Sequence, residues 1–268
     1  MSISQKFAGL AILLKFDNWP VLLLARIFDR RTGLVVYRKA SLEVLVDHRG
    51  GDENGTRTCL ASDMYSRHLR RIPKSGPERV LDLGANGGGF PLLLRLEGRE
   101  LDRVVSVEMN PPTYLRLLVN LSANLGHCAT GINAAVGAMP PGSEIMLQPC
   151  RGSTSLSAYG NRTDSSLPHV VVRTTTLEEL YGQYFQGETI DICKIDIEGA
   201  EYETIQSSPD AILQKIRTII IEFHDPPRTP ACVQRLLRLG FLETTGEEDP
   251  KTGDASEVRV FSRRLASP

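Results

Sequence analysis

Cysteine is scarce in this chain, and what there is does not cluster. Five occur in 268 residues, Cys59, Cys128, Cys150, Cys193 and Cys232, with no Cys-x-x-Cys pair. Such a set excludes a disulfide framework and a structural zinc site, and fits reduced thiols in a cytoplasmic enzyme. An excess of charge of one sign is also missing. The formal net charge is −1, without the basic surplus of a nucleic-acid binder, so no nucleic-acid partner is expected. The local cluster Arg67-His68-Leu69-Arg70-Arg71 reads as a solvated face. No apolar run reaches the ~20 residues that span a bilayer. Residues 7–14 have the length of a signal-peptide core, but Lys15-Phe16-Asp17 follows without a small-residue cleavage site. The next run, residues 21–24, is shorter. Both read as short buried or docking helices without stable membrane insertion; contact with a membrane surface is the weaker alternative. Internal repeats and low-complexity tracts are absent.

What is present suits a folded enzyme. Hydrophobic residues make up 41% and charged ones 24%, enough to bury a core and too apolar for bulk disorder. Residues 1–76 read as an N-terminal extension of helices and short strands, a substrate-side cap or an oligomer contact. Within it, 34–37 and 42–46 are strand-like, 50–55 is a Gly/Asp/Asn loop, and 62–71 is a helix capped by Ser62 or Asp63. Ile72-Pro73-Lys74-Ser75-Gly76-Pro77 breaks the pattern. Residues 77–268 then alternate. Strands are expected at 79–83, 103–108, 132–136, 144–147, 170–173, 190–197 and 218–223, and helices at 87–97, 112–125, 176–185, 200–206 and 230–239. A closing strand pair is expected at 241–245 and 257–262. The alternation implies a mostly parallel sheet with helices on both faces, binding its ligand beyond the carboxyl ends of the strands.

The first of those ends carries Asp82-Leu83-Gly84-Ala85-Asn86-Gly87-Gly88-Gly89. Glycines let backbone turn tightly against a ligand, and helix-start N–H groups suit polar or anionic groups. A dinucleotide turn wants G-x-G-x-x-G, and Asn86 stands where its second glycine belongs. Asp82, Gly84, Asn86 and Gly88 instead follow the D-x-G-x-(G/N)-x-G form of methyltransferases, with Asp82 placed to anchor a methionyl amino group directly or through water. Glu108 ends the next strand, about 20 residues on, as a ribose-binding acid does. Asn133-Ala134-Ala135 closes the third strand with small side chains that leave room for a flat adenine, and Asn133 can bond its edge; a tightly packed core strand explains the same residues.

The stretch Ile190-Asp191-Ile192-Cys193-Lys194-Ile195-Asp196-Ile197-Glu198-Gly199-Ala200-Glu201 is the most unusual. A central parallel strand is nearly all apolar, yet Lys194, Asp196 and Glu198 alternate onto one face. Unpaired buried charges are costly, so the run implies a lined cleft or an ion network; a wet edge strand is the bland reading. Glu222 and His224, two apart at the end of the next strand, join them if the strands are neighbours. Such a set can deprotonate an alcohol or hold a divalent cation. His169 is a weaker candidate, and the polar loop at 152–157 a substrate contact or plain surface.

These blocks, with Thr176-Leu177-Glu178 and Ile221-Glu222, resemble the FkbM family of methyltransferases across residues 79–224, in the right order and spacing. Lys194-Ile195-Asp196-Ile197-Glu198-Gly199-Ala200-Glu201 is the most specific element. Two departures are minor: Asp is frequent in the family where Glu178 stands, and a hydrophobic residue where Gly88 stands. The resemblance implies a Rossmann-like class I methyltransferase fold with a mostly parallel seven-stranded sheet, S-adenosyl-L-methionine as cofactor, and O-methylation of a sugar, glycolipid or secondary metabolite. The expected cofactor residues are Asp82, Gly84, Ala85, Asn86, Gly88, Glu108, Asn133, Ala134, Ala135 and Asp196. The expected catalytic ones are Asp196 as base or metal ligand, with His224, Lys194 and Glu222; a divalent metal, where used, falls to Asp196, Glu198, Glu222 and His224. The acceptor is a small molecule or carbohydrate, and a homo-oligomer is open. A nicotinamide-dependent oxidoreductase or nucleotide-sugar enzyme is disfavoured by Asn86 and by the lack of a Tyr-x-x-x-Lys pair after the turn. A non-catalytic binding module is disfavoured by the intact acids.

Overall fold

The computed structural model describes residues 10–28, 33–48, 53–147, 169–244 and 257–263. The loop at 152–157 and Cys150 lie outside them. The described residues begin with a helical stretch at 10–13, followed by helix α1 (Trp19–Phe28) and an antiparallel hairpin, β1 (Leu34–Lys39) and β2 (Leu42–Asp47). Helix α2 (Thr58–Ala61) follows, ended by Ser62, and of the helix expected at 62–71 only the short α3 (Ser66–Leu69) forms, with Tyr65 rather than Ser62 or Asp63 at its N-cap. The extended Ser62 backbone is what stops α2.

The alternating region follows: β3 (Glu78–Leu83), α4 (Gly89–Leu96), β4 (Leu101–Glu108), α5 (Pro111–Leu125), β5 (Ala129–Asn133), β6 (Ala135–Val136), β7 (Glu144–Leu147), β8 (Val170–Thr175), α6 (Leu177–Tyr184), β9 (Ile190–Ile195), α7 (Glu201–Ser207), α8 (Asp210–Leu213), β10 (Ile216–Phe223), α9 (Thr229–Arg238), β11 (Leu242–Glu243) and β12 (Glu257–Ser262). Local chemistry sets the ends. Prolines open α5 and Gly126 closes it, while the Thr176 side chain caps α6 by accepting from the Glu179 N–H.

Seven strands form one sheet in the order β11-β12-β10-β9-β3-β4-β5. The run from β10 to β5 is parallel, and β12 pairs antiparallel with β10 and β11. The expected mostly parallel seven-stranded α/β sheet is thus the fold. The strand order reverses between β3 and β9, where such a sheet opens a crevice. The single strand expected at 132–136 is split: at Ala134 the chain leaves the main sheet, and β6 joins β8 and β7 in a separate three-stranded sheet.

Side-chain alternation divides the core. Leu81, Leu83, Cys193, Ile195, Ile219 and Ile221 pack on one face of the sheet with residues of α6, α7 and α9. Val80, Ile192 and Ile220 pack on the other with α4, α5 and residues of the N-terminal segment, among them Phe16, Tyr37, Leu60 and Tyr65. With a period of two, Asp82, Lys194 and Glu222 fall on this second face, across three adjacent strands.

Candidate active site

At the carboxyl ends of β3, β4, β9 and β10 lies a cavity of about 280 Å³, near the low end of the ~300–1,000 Å³ usual for small-molecule sites. Of the expected residues, Gly84, Ala85, Asn86, Glu108, Ala134, Lys194, Asp196, Glu198, Glu222 and His224 line it. Asp82, Gly88, Asn133 and Ala135 do not.

The first turn shows why. Gly84 has φ +76, and a Cβ there would lie 1.6 Å from the Asp196 carbonyl oxygen. The backbone is held on both sides: the Gly84 and Ala85 N–H groups donate to Val107 O, and the Asp196 N–H to Leu83 O. Gly84→Ala is therefore expected to cost upwards of about 4 kcal/mol, read as loss of the folding transition in urea; wild-type-like unfolding would show that the two turns are free to separate. Gly88 faces away from the cavity. Its φ is +88, and a Cβ there would press on Leu117 at 3.0 Å, so its glycine serves the packing of α4 on α5.

Asn86 also adopts φ +50, a region asparagine tolerates. Its N–H donates to Glu108 Oε2 at 2.9 Å, and its Oδ1 accepts from Thr56 Oγ1 and the Gly87 N–H. Glu108 Oε1 accepts the Asn110 N–H at 2.7 Å. Burial pushes the Glu108 carboxyl up to about 7 against the pull of those two N–H groups. Asn133 donates the N–H groups of its amide to the Glu108 and Met109 carbonyls, which fixes β5 to β4. Ala135 is packed with Leu147 and Val172.

Asp82 is fully buried, in register with Lys194 across the β3–β9 ladder. Lys194 Nζ lies 3.3 Å from Asp82 Oδ1 and 3.3 Å from Asp196 Oδ2, and donates to Gly84 O at 2.9 Å. Burial alone would depress this ammonium, but Asp82 and Asp196 outweigh it and hold it above the ordinary lysine value. Lys194 thus ties the two turns together.

Beyond Ile195 the strand stops, so Asp196 and Glu198 do not continue its alternation. Glu198 takes φ +51 and Gly199 φ +102, folding the segment into a turn over the cavity. Glu201, buried at the start of α7, pins that turn: it accepts the Gly199 N–H at 2.7 Å, and the N–H and Nδ1 of His224 at 3.1 and 3.0 Å. With Nδ1 so engaged, His224 Nε2 faces Glu198 Oε2 at 3.6 Å, Asp196 Oδ1 at 3.8 Å and Glu222 Oε1 at 3.9 Å. Asp196, Glu198 and His224 can each offer one atom to a common cation; Glu222 stands outside that trio.

Burial would lower His224, yet Glu201, Glu198 and Asp196 raise it to about 9. The folded state therefore binds this proton more tightly than the unfolded chain, where histidine titrates near 6.5. The resulting stability is complete below about pH 6.5 and is lost as pH rises through about 9. In chelator, urea unfolding should show a fall on the order of 1–3 kcal/mol across that window, flattened in His224→Gln. An unchanged slope in the variant would assign the effect elsewhere.

Sequence reasoning missed the opposite wall. Tyr65 Oη donates toward Asp196 Oδ2 (3.3 Å) and Glu222 Oε2 (3.2 Å), and its ring lies 5.8 Å from Lys194 Nζ. Burial, then Asp196 and Glu222, push the phenol well above 10, so it is a donor. Cys59 lines the same wall, its thiol pushed up by burial. No motif marks these residues; only the docking of the N-terminal segment on the sheet brings them here. His169 does not line the cavity.

The sequence profile described as Methyltransferase FkbM domain matches residues 82–257, well over half of the chain. The protein belongs to the FkbM methyltransferase family. It is an S-adenosylmethionine-dependent methyltransferase. The methyltransferase sdnD of Sordaria araneosa is 23% identical over 184 residues, covering 59% of this chain and 71% of its own. The AMB antimetabolite synthetase AmbE of Pseudomonas aeruginosa is 25% identical over 201 residues, which cover 62% of this chain and only 9% of AmbE. A solved FkbM methyltransferase from Methylobacillus flagellatus superposes with a TM-score of 0.52 at 16% identity, over 75% of this chain and 47% of that one; that likeness concerns the fold.

Proposed function

We propose that this FkbM enzyme methylates a hydroxyl oxygen of a small-molecule acceptor, a sugar, glycolipid or secondary metabolite. One observation carries the reading. The Gly84–Asn86 turn with Glu108, and the cluster of Asp196, Glu198, Glu222 and His224, open on the same cavity.

The residues fit the cofactor. A Cβ at Gly84 would abolish the close approach of its two turns. Glu108 spends one lone pair of each oxygen on backbone N–H groups, which leaves acceptor capacity for ribose hydroxyls. Ala134 supplies a small side chain for the base. Asp82 acts through Lys194 rather than by touching the ligand. When bound, the cofactor supplies an electrophilic sulfonium methyl.

An aliphatic hydroxyl is a weak nucleophile and needs help losing its proton. Lys194 and Tyr65 both engage Oδ2 of Asp196, leaving Oδ1 toward the His224 side. Oδ1 would accept the proton that the acceptor hydroxyl loses as its oxygen is methylated. His224, charged at neutral pH, steadies the carboxylates around it and is no base there. As a second means of activating the hydroxyl, Asp196, Glu198 and His224 would hold a divalent cation that displaces the Nε2 proton of His224, with Glu201 keeping the proton on Nδ1. AmbE is named an antimetabolite synthetase, in keeping with a secondary-metabolite acceptor.

The test joins calorimetry with S-adenosylhomocysteine to transfer of labelled methyl onto a panel of sugars, glycolipids and hydroxylated metabolites, with chelator and with Mg²⁺. Cofactor binding with label on oxygen is expected. Label on nitrogen or carbon sinks the O-methylation reading, and full activity in chelator removes the metal. Thermal stabilisation by NAD in place of the methyl donor would favour the oxidoreductase alternative.

A further inference from the structure

A single wide π-helical turn, Glu53–Arg57, runs into α2. It lies outside the stretch that matches the family, residues 82–257, yet it grips the glycine turn. Thr56 is fully buried. Its hydroxyl donates to Asn86 Oδ1 at 2.9 Å and accepts the Gly87 N–H at 3.0 Å. Gly55 covers the face of the same amide: a Cβ there would lie 2.5 Å from Asn86 Cγ, 2.6 Å from Nδ2 and 2.9 Å from Oδ1. From the other side, Asn120 Nδ2 donates to Gly87 O at 2.8 Å, and the Asn120 amide also bonds both backbone groups of Leu45 in β2. Lys15 Nζ donates to Ala61 O at 2.7 Å and Lys39 Nζ to Leu60 O, which anchors α2 and Thr56 with it.

This clamp decides which way the Asn86 amide points. The Gly87 N–H also reaches Asn86 Oδ1, at 2.7 Å. The atom between Thr56 and Gly87 must therefore accept, which makes it the oxygen and not the nitrogen. Nδ2 keeps two N–H groups, on a residue that lines the cavity. Among the described residues it donates to none.

We propose that Thr56 is a positioning residue for the cofactor: by holding the Asn86 oxygen it leaves the Nδ2 donor for the carboxylate at the methionyl end. Elimination supports this partner. Among the described residues, the cationic side chains lining the cavity are Lys194 and His224. Lys194 is taken up by Asp82, Asp196 and Gly84 O. His224 stands among Asp196, Glu198 and Glu222, where an anion is unwelcome. The cofactor carboxylate is therefore left to neutral donors, and a hydrogen bond to a charged group is a strong one. Glu108 is an acceptor and suits the ribose hydroxyls instead. The N-terminal segment is then part of the cofactor site as well as a wall of the cavity. The inference rests on the assignment of this cavity to S-adenosylmethionine and is independent of the acceptor, the base and the metal.

The experiment is calorimetric titration of the full chain with S-adenosylhomocysteine and with 5′-methylthioadenosine, which keeps the nucleoside and the sulfur but lacks the amino acid. Thr56→Val preserves the shape of the side chain and removes its hydroxyl. It should bind S-adenosylhomocysteine about 3–10-fold more weakly, the worth of one hydrogen bond, and 5′-methylthioadenosine within about twofold of wild type. Thr56→Ser should restore wild-type affinity. Asn86→Asp, which keeps the oxygen and loses the donor, should discriminate between the two ligands in the same direction and more strongly. Three outcomes overturn the proposal alone: unchanged S-adenosylhomocysteine affinity in Thr56→Val, an equal loss for both ligands, or no recovery in Thr56→Ser. The second would mean a general loosening of the turn or a contact on the nucleoside. If wild type binds neither ligand, the cofactor reading falls and this inference with it.

Discussion

Lys194→Met is expected to destabilise the protein by about 3–5 kcal/mol, the cost of leaving a buried charge without its partner. Asp82 is fully buried, and neither of its oxygens has a hydrogen bond of good geometry. Its compensation is the Lys194 ammonium at 3.3 Å. Burial already pushes the Asp82 carboxyl up, against the opposing pull of that lysine; without it, Asp82 must take up a proton or unfold the strand pair. The same substitution frees Gly84 O, so cofactor binding should weaken together with stability. Adding Asp82→Leu should return most of the loss, because an apolar pair can replace a buried ion pair at little cost, and urea unfolding of the four proteins gives the coupling directly. A Lys194→Met variant within about 1 kcal/mol of wild type would mean that the pair contributes little to the fold.

How much of this was legible beforehand depended on the range of the interactions. The sheet was readable because each strand carries its own signal: 78–83, 101–108, 190–195 and 216–223 are largely apolar runs bounded by turns, and a helix follows each of the four within a few residues. Strand ends then fixed where Gly84, Glu108, Asp196 and Glu222 stand. The errors fall where a local pattern met a non-local constraint. Lys194, Asp196 and Glu198 alternate in sequence, but the strand ends at Ile195, because Glu201 binds the Gly199 N–H and holds Glu198 at positive φ. Asn133 and Ala135 are two positions apart in sequence and lie in different sheets. Tyr65 and Cys59 approach the carboxylates only through packing across more than a hundred residues of chain, and no spacing rule reports that.

Asp196→Asn is expected to lower kcat by about 10²–10⁴, the usual worth of a positioned general base, with S-adenosylhomocysteine affinity changed by no more than a few-fold. The amide keeps the shape of the side chain and a partner for Tyr65, but cannot take a proton at Oδ1. The contrast with Glu222→Gln makes the test specific. Glu222 also meets Tyr65 and lies near His224, yet it falls outside the trio of Asp196, Glu198 and His224, so its loss should cost far less than that of Asp196. If both variants fall equally, the role belongs to the cluster as a unit, and additivity in the double variant would fail. If Asp196→Asn keeps full kcat, Asp196 is not the base. Lost activity that returns with excess Mn²⁺ would instead assign the residue to a cation, since an Asn ligand weakens a metal site that an added metal can refill. The three outcomes separate proton transfer, a shared electrostatic role and metal binding at the carboxylate that sits between Lys194 and His224.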